Sequence, residues 1–190
     1  MKIYFTAAIS LMDQYGEQYR RIVDILLEEG HSVQYEQVFK QKLKDIISET
    51  DEKKVDYYKK FLRWINNADL VIAEASFPST VHIGYELNVA LEKGKPVIVL
   101  FQEGKAPVFL EGVKSDKLIV QKYRLDELRE ILTAAINKAA ERRETRFNFF
   151  IPRRLVAYLD WISKKRRIPR AVYLRQLLRG EMRMNKDYQV

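Results

Sequence analysis

The residues best placed to do chemistry lie in the run Ala68-Asp69-Leu70-Val71-Ile72-Ala73-Glu74-Ala75-Ser76-Phe77-Pro78-Ser79-Thr80-Val81-His82-Ile83-Gly84-Tyr85-Glu86. The apolar stretch 70–73 reads as a strand buried on both faces. Ser76, Pro78, Ser79 and Thr80 break it with turn and N-cap chemistry. Residues 84–91 then show helical spacing that stops at Gly94, with Pro96 just beyond. In open α/β sheets, ligands bind at the carboxyl ends of strands beside helix N-termini. Glu86 falls there, on the first turn of this helix. The helix dipole favours the ionised carboxylate, the species that a covalent step at a sugar carbon requires. The plain alternative is a first-turn glutamate held in place by the dipole alone.

Other candidates surround it. His82 precedes Glu86 by four residues and shares its face if the helix already includes it; it is then a candidate proton donor, and otherwise an exposed loop histidine. Asp69 opens the strand and reads first as a structural cap or turn carboxylate. Glu74 ends it, with site and structural roles both open. Tyr4, on the first strand, is either a site residue or a core side chain with a satisfied hydroxyl. His31 follows Gly30 at a helix end and needs no function.

The elements that must position these groups alternate along the chain. Strands are expected over 2–7, 31–35, 70–73, 95–101 and 118–122. Helices are expected over 14–29, 51–67, 84–91 and 125–143, with a weak helical pattern over 37–50 and a loop over 102–116. Such alternation predicts an α/β fold, a parallel sheet with helices on both faces. The chain of 190 residues allows one domain plus a small module, and at 47% hydrophobic it can build a core. The 32% of charged residues predict a soluble chain. The absence of cysteine excludes disulfides, zinc-thiolate sites and thiol catalysis, and fits a cytoplasmic setting. The N-terminal apolar run is too short for a signal peptide and reads as a strand. No apolar run reaches the ~18 residues of a membrane span, so no membrane partner is expected. No Gly-x-Gly-x-x-Gly supports a dinucleotide, and no metal and no cofactor are expected.

Charge is unevenly placed. Residues 145–190 carry 12 Lys/Arg against 3 Asp/Glu, whereas residues 1–144 carry 22 against 23. A near-neutral domain with a basic appendage points to nucleic acid, or to an acidic partner.

Residues 1–140 resemble the nucleoside 2-deoxyribosyltransferase family, most nearly its 2'-deoxynucleoside 5'-phosphate N-hydrolase branch. The resemblance is carried by Lys2-Ile3-Tyr4-Phe5-Thr6-Ala7-Ala8-Ile9, Trp64-Ile65-Asn66-Asn67-Ala68-Asp69-Leu70-Val71-Ile72-Ala73-Glu74, Pro78-Ser79 and Gly84-Tyr85-Glu86-Leu87. It implies a flavodoxin-like or Rossmann-like domain, dimeric or higher, that binds a nucleoside or nucleotide. It also implies that Glu86 is the nucleophile at the anomeric carbon, that Tyr4 lies beside it, and that Ser79, with Thr80 next to it, holds the sugar or its phosphate. Three features depart from the family. Its aspartate three residues before the tryptophan is Phe61 here, which can do no proton chemistry. The Ser-Ile-Arg-Gly-Gly loop of the phosphate-hydrolysing branch is Ala8-Ile9-Ser10-Leu11-Met12, without glycine. The loop before Gly84 is one residue longer. Asp56 and Tyr57 sit one turn before Phe61 and are candidates to reach the same space.

Residues 145–190 resemble the ribbon-helix-helix DNA-binding family. Residues 146–151 alternate, helices follow over 153–166 and 171–184, and Pro169 stands at the break between them. In that family, strands of two chains pair into a ribbon that enters the major groove of double-stranded DNA. The resemblance implies that Arg146, Asn148 and Phe150 face the groove, that Phe147, Phe149 and Ile151 face inward, and that Arg170 holds a phosphate. The plainer reading is a basic helical hairpin used for assembly or for nonspecific RNA binding. The leading expectation is therefore a nucleoside- or nucleotide-responsive, DNA-binding regulator, acting as a homodimer or higher. The alternative is an active N-glycosidase or deoxyribosyltransferase that uses Glu86.

Overall fold

The computed structural model describes residues 1–40, 48–141, 149–185 and 187. The chain divides into two compact units, Met1–Glu144 and Thr145–Val190. In the first, the elements run β1 (Lys2–Ala7), α1 (Met12–Glu28), β2 (Ser32–Gln34), α2 (Glu36–Lys40), α3 (Asp51–Asn67), β3 (Leu70–Glu74), α4 (Val81–Glu92), β4 (Val97–Gln102), β5 (Leu118–Tyr123) and α5 (Leu128–Glu141). Short 3₁₀ turns lie at Ile9–Leu11 and Val108–Gly112. The five strands form one sheet of order β2-β1-β3-β4-β5, every pairing parallel. Among the described residues, no helix is long and apolar enough to cross a membrane.

Strand parity explains the layers. Successive side chains of a strand point to opposite faces. Ile3, Phe5 and Ala7 of β1 and Leu70 and Ile72 of β3 pack with Tyr19, Ile22 and Leu26 of α1 and Leu128 and Leu132 of α5. Tyr4 of β1 and Val71 and Ala73 of β3 pack with Phe61 and Ile65 of α3 and Ile83, Leu87 and Ala90 of α4. Both faces are covered, so β3 and β4 are apolar at nearly every position rather than alternating. The chain reverses its order in the sheet between β1 and β3, and that switch point opens the crevice where ligands bind in such sheets.

Helix α4 starts at Val81, three residues before the expected Gly84, because Thr80 caps it: its Oγ1 accepts from the Ile83 N–H at 3.5 Å. Glu86 therefore sits on the second turn, not the first. Helix α3 spans the expected residues. Of the weak pattern over 37–50, residues 36–40 are helical and 41–47 lie outside the described residues.

The second unit holds α6 (Arg153–Arg166) and α7 (Arg170–Met184) around a small core of Leu159, Ile162 and Tyr173. Helix α6 ends on Arg167 in the left-handed region (φ 54°), and Ser163 Oγ donates to the Ile168 carbonyl at 2.6 Å across the turn. Arg146 and Asn148 lie outside the described residues. Phe149, Phe150 and Ile151 form no strand within the single chain. Phe150 is fully exposed, and Phe149, expected inward, is 57% exposed. Arg170, expected to hold a phosphate, pairs instead with Asp160.

Ile72 is fully buried at the centre of the sheet. Ile72→Ala is expected to destabilise the first unit by about 2–5 kcal/mol, read as a lower urea midpoint at unchanged slope.

Candidate active site

A cavity of about 510 Å³ opens at the β1–β3 switch point, within the size range of small-molecule sites. Its floor is the carboxyl end of β1 and the turn that follows, from Thr6 to Ser10. One wall comes from α3 and the residues before it: Glu49, Lys54, Tyr57, Tyr58 and Phe61. The other comes from α4 and its cap: Thr80, His82, Ile83, Tyr85 and Glu86.

Glu86 is the chemical centre of this cavity. Tyr4 Oη donates to Glu86 Oε2 at 3.1 Å, and the Thr6 hydroxyl bonds the same carboxyl group. Tyr4 and Thr6 are two apart on β1 and so share the face that α4 covers. Burial pushes the Glu86 carboxyl up to about 7, and the two hydroxyls, which favour the charged form, offset only part of that rise. The sequence reading expects the helix dipole to keep Glu86 ionised. That effect fades within the first turn, and Glu86 stands beyond it, so desolvation wins. The Tyr4 hydroxyl is in turn raised, by burial first and by the Glu86 charge second. It stays a donor.

Aromatic rings fill the space between the two walls. Tyr4 lies 6.2 Å from Phe61 and 6.1 Å from Trp64, centroid to centroid. Phe61 and Tyr58 both lie 6.4 Å from Tyr85. At the rim, the Tyr58 and Tyr85 hydroxyls meet at 3.0 Å, joining α3 to α4. Tyr57 is raised by burial and then by the charges of Glu86 and Glu49.

The other sequence candidates fall in definite places. His82 lies exposed on the cavity wall, one turn before Glu86. Thr80 lines the cavity while capping α4. Tyr4 is fully buried behind Glu86 rather than on the wall. Ser79 is half-buried in the loop before α4 and is not a lining residue. Asp56 is not on the wall either and pairs with Lys59 at 3.5 Å. Asp69 accepts from the Lys2 N–H at 3.0 Å, a structural role that joins the starts of β1 and β3. Glu74 shares strand parity with Leu70 and Ile72, so it turns to the α1/α5 face, away from the cavity. There it is buried and accepts from Tyr123 Oη at 3.1 Å and from Ser76 Oγ. Two residues escaped the sequence reading: Thr6, signalled by its spacing of two from Tyr4, and Glu49, which no pattern marks.

An all-parallel sheet in this order, with a hydroxyl-held carboxylate at its switch point, defines an α/β protein with a cavity of small-molecule size beside Glu86. The chain belongs to the 2'-deoxynucleoside 5'-phosphate N-hydrolase family. It is 30% identical over 137 residues to a Nematostella vectensis protein provisionally named 2'-deoxynucleoside 5'-phosphate N-hydrolase 1, covering 69% of this chain and 90% of that one. It is 28% identical over 136 residues to the 5-hydroxymethyl-dUMP N-hydrolase of Tetraodon nigroviridis, covering 70% and 94%. The solved Clostridium botulinum CMP N-glycosidase BcmB overlaps with a TM-score of 0.48 at 19% identity, over 70% of this chain and 99% of that one. The sequence relatives, not that overlap, establish the family. No family model matches the chain.

Because the ordinary carboxyl value of 4.5 rises to about 7 in the fold, a charged Glu86 destabilises the native state. The cost is absent below pH 4.5, grows as pH rises, and is complete above about 7. It amounts to about 3 kcal/mol. Glu86→Gln is expected to be more stable than wild type at pH 8 by roughly that order and indistinguishable from it at pH 4, measured by thermal or urea unfolding at both values.

Proposed function

We propose that this protein cleaves the N-glycosidic bond of a 2'-deoxynucleoside or its 5'-monophosphate, with Glu86 as nucleophile. The observation that carries this reading is the Glu86 carboxyl lining the cavity, held by the hydroxyls of Tyr4 and Thr6. Family membership and the relatives' names, both N-hydrolases, agree with it. The ionised carboxylate attacks C1' as the bond to the base breaks, giving a glycosyl-enzyme that water resolves. The Tyr4 and Thr6 hydroxyls orient the attacking oxygens. The base lies against the rings of Tyr57, Phe61 and Tyr85, where stacking contributes about 1–3 kcal/mol. Thr80 and Ser10 offer hydroxyls to the sugar side. The turn at Ala8-Ile9-Ser10 has no glycine, which makes it a poorer phosphate cradle than the Gly-Gly loop of the branch it resembles.

Wild type should release free base from at least one member of a panel of deoxynucleosides and their 5'-monophosphates, and Glu86→Gln should release none, by liquid chromatography. Since the nucleophile must be ionised, the acid limb of kcat/KM should climb with pH toward about 7. A flat profile between pH 5 and 8, or activity surviving in Glu86→Gln, contradicts the assignment.

A second reading concerns residues 145–190. Their charge of 12 Lys/Arg against 3 Asp/Glu, together with a fully exposed Phe150 ahead of α6, favours a nucleic-acid contact by a paired ribbon-helix-helix unit. The first unit then acts as the ligand sensor of a DNA-binding homodimer. The full chain should bind duplex DNA at low salt, with affinity falling steeply as salt rises, and Arg146→Ala and Asn148→Ala should weaken it. No binding at about 50 mM salt excludes this reading.

A further inference from the structure

We propose that Glu49 is the second carboxylate of the reaction, the group that gives a proton to the departing base and takes one from the incoming water. The inference rests on the N-glycosidase reading.

The chemistry leaves a vacancy that the cavity must fill. When the bond from C1' to the base breaks, the electron pair goes to the base nitrogen, and a base leaves poorly unless that nitrogen is protonated. Glu86 cannot be nucleophile and acid in the same step. Phe61 carries no proton to give. Tyr57 is held well above its ordinary value, so it can donate a hydrogen bond but not a proton. Lys54 pairs with Asp51 at 3.4 Å and its side chain is half exposed. His82 stands on α4, one turn from Glu86, and its side chain is exposed to solvent. Glu49 differs from all of these. It is half-buried, it lines the same cavity as Glu86, and it reaches the cavity from the segment that leads into α3. Tyr57, on the same wall, feels the charges of both carboxylates.

Two carboxyl groups from two elements lining one cavity are what glycoside hydrolysis uses. In the first step, a Glu86 oxygen bonds C1', the bond from C1' to nitrogen breaks, and the base takes the proton of Glu49. In the second, a water oxygen bonds C1' and its proton goes to the Glu49 carboxylate. The bond between C1' and Glu86 breaks as the water oxygen bonds, and its pair returns to Glu86. The products are the free base and the deoxyribose or its 5-phosphate.

The test compares wild type, Glu49→Gln, Glu49→Asp and Glu86→Gln on the best substrate of the panel and on the matching 4-nitrophenyl 2-deoxyriboside, whose leaving group needs no proton. Glu49→Gln should lose about 100-fold or more in kcat/KM for the natural base, but under about 10-fold in the first-turnover release of nitrophenolate. Added azide, which needs no base to activate it, should restore turnover in Glu49→Gln and yield the glycosyl azide. Glu49→Asp should retain part of the activity. Equal losses on both substrates, or no loss on either, would overturn the assignment of Glu49 while leaving Glu86 as nucleophile. If wild type releases no base from any substrate, the N-glycosidase reading falls and this inference falls with it.

Discussion

The hydroxyl-held burial of the Glu86 carboxyl is the interaction on which the rest of the site depends. A carboxylate in water is a weak, well-solvated nucleophile. Here desolvation raises its basicity, while Tyr4 and Thr6 keep it hydrogen-bonded and aimed. The two effects oppose each other, and the balance sets its value near neutrality; in the proposed reaction, a group that must be ionised to react is then still basic enough to attack. The sheet bears the energetic cost of that arrangement. Both donors sit on β1, a strand covered on both faces, so neither can turn away without breaking the core.

Strand parity determines which carboxylates can serve. Glu74 and Glu86 both follow from the same strand–turn–helix, and both lie near strand ends. Yet Glu74 points to the α1/α5 face, where Tyr123 and Ser76 satisfy it, and Glu86 returns on α4 over the opposite face. A shift of one residue in β3 would turn Glu74 to the opposite face of the sheet. The register Ala7↔Glu74 between β1 and β3, fixed by a continuous parallel ladder, is therefore as important to the site as the side chains themselves.

Much of this was legible in the sequence, for identifiable reasons. The continuous apolar runs of β3 and β4 mark a sheet covered on both sides, and α3 is bounded clearly enough that its expected span matches residue for residue. The start of α4 was not legible, because Gly84 looks like a beginning and the capping bond of Thr80 is visible only in three dimensions. That error moved Glu86 to the first turn and overrated the dipole. Thr6 follows from period two once Tyr4 is placed. Glu49 does not, because what brings it to the cavity is the chain path into α3 rather than any spacing. In the second unit, the two helices and the turn between them read correctly from their apolar spacing and from Pro169, whereas the pairing of Arg170 with Asp160 depends on how the hairpin closes.

A covalent bond between C1' and Glu86 is the central intermediate of the proposed reaction. The most direct measurement is intact-protein and peptide mass spectrometry after reaction with a 2'-fluoroarabino analogue of the best substrate, which slows resolution of the glycosyl-enzyme. A single added sugar mass on the peptide that contains Glu86, absent in Glu86→Gln, is the expected result. Base release with no adduct, or an adduct on another residue, would contradict it.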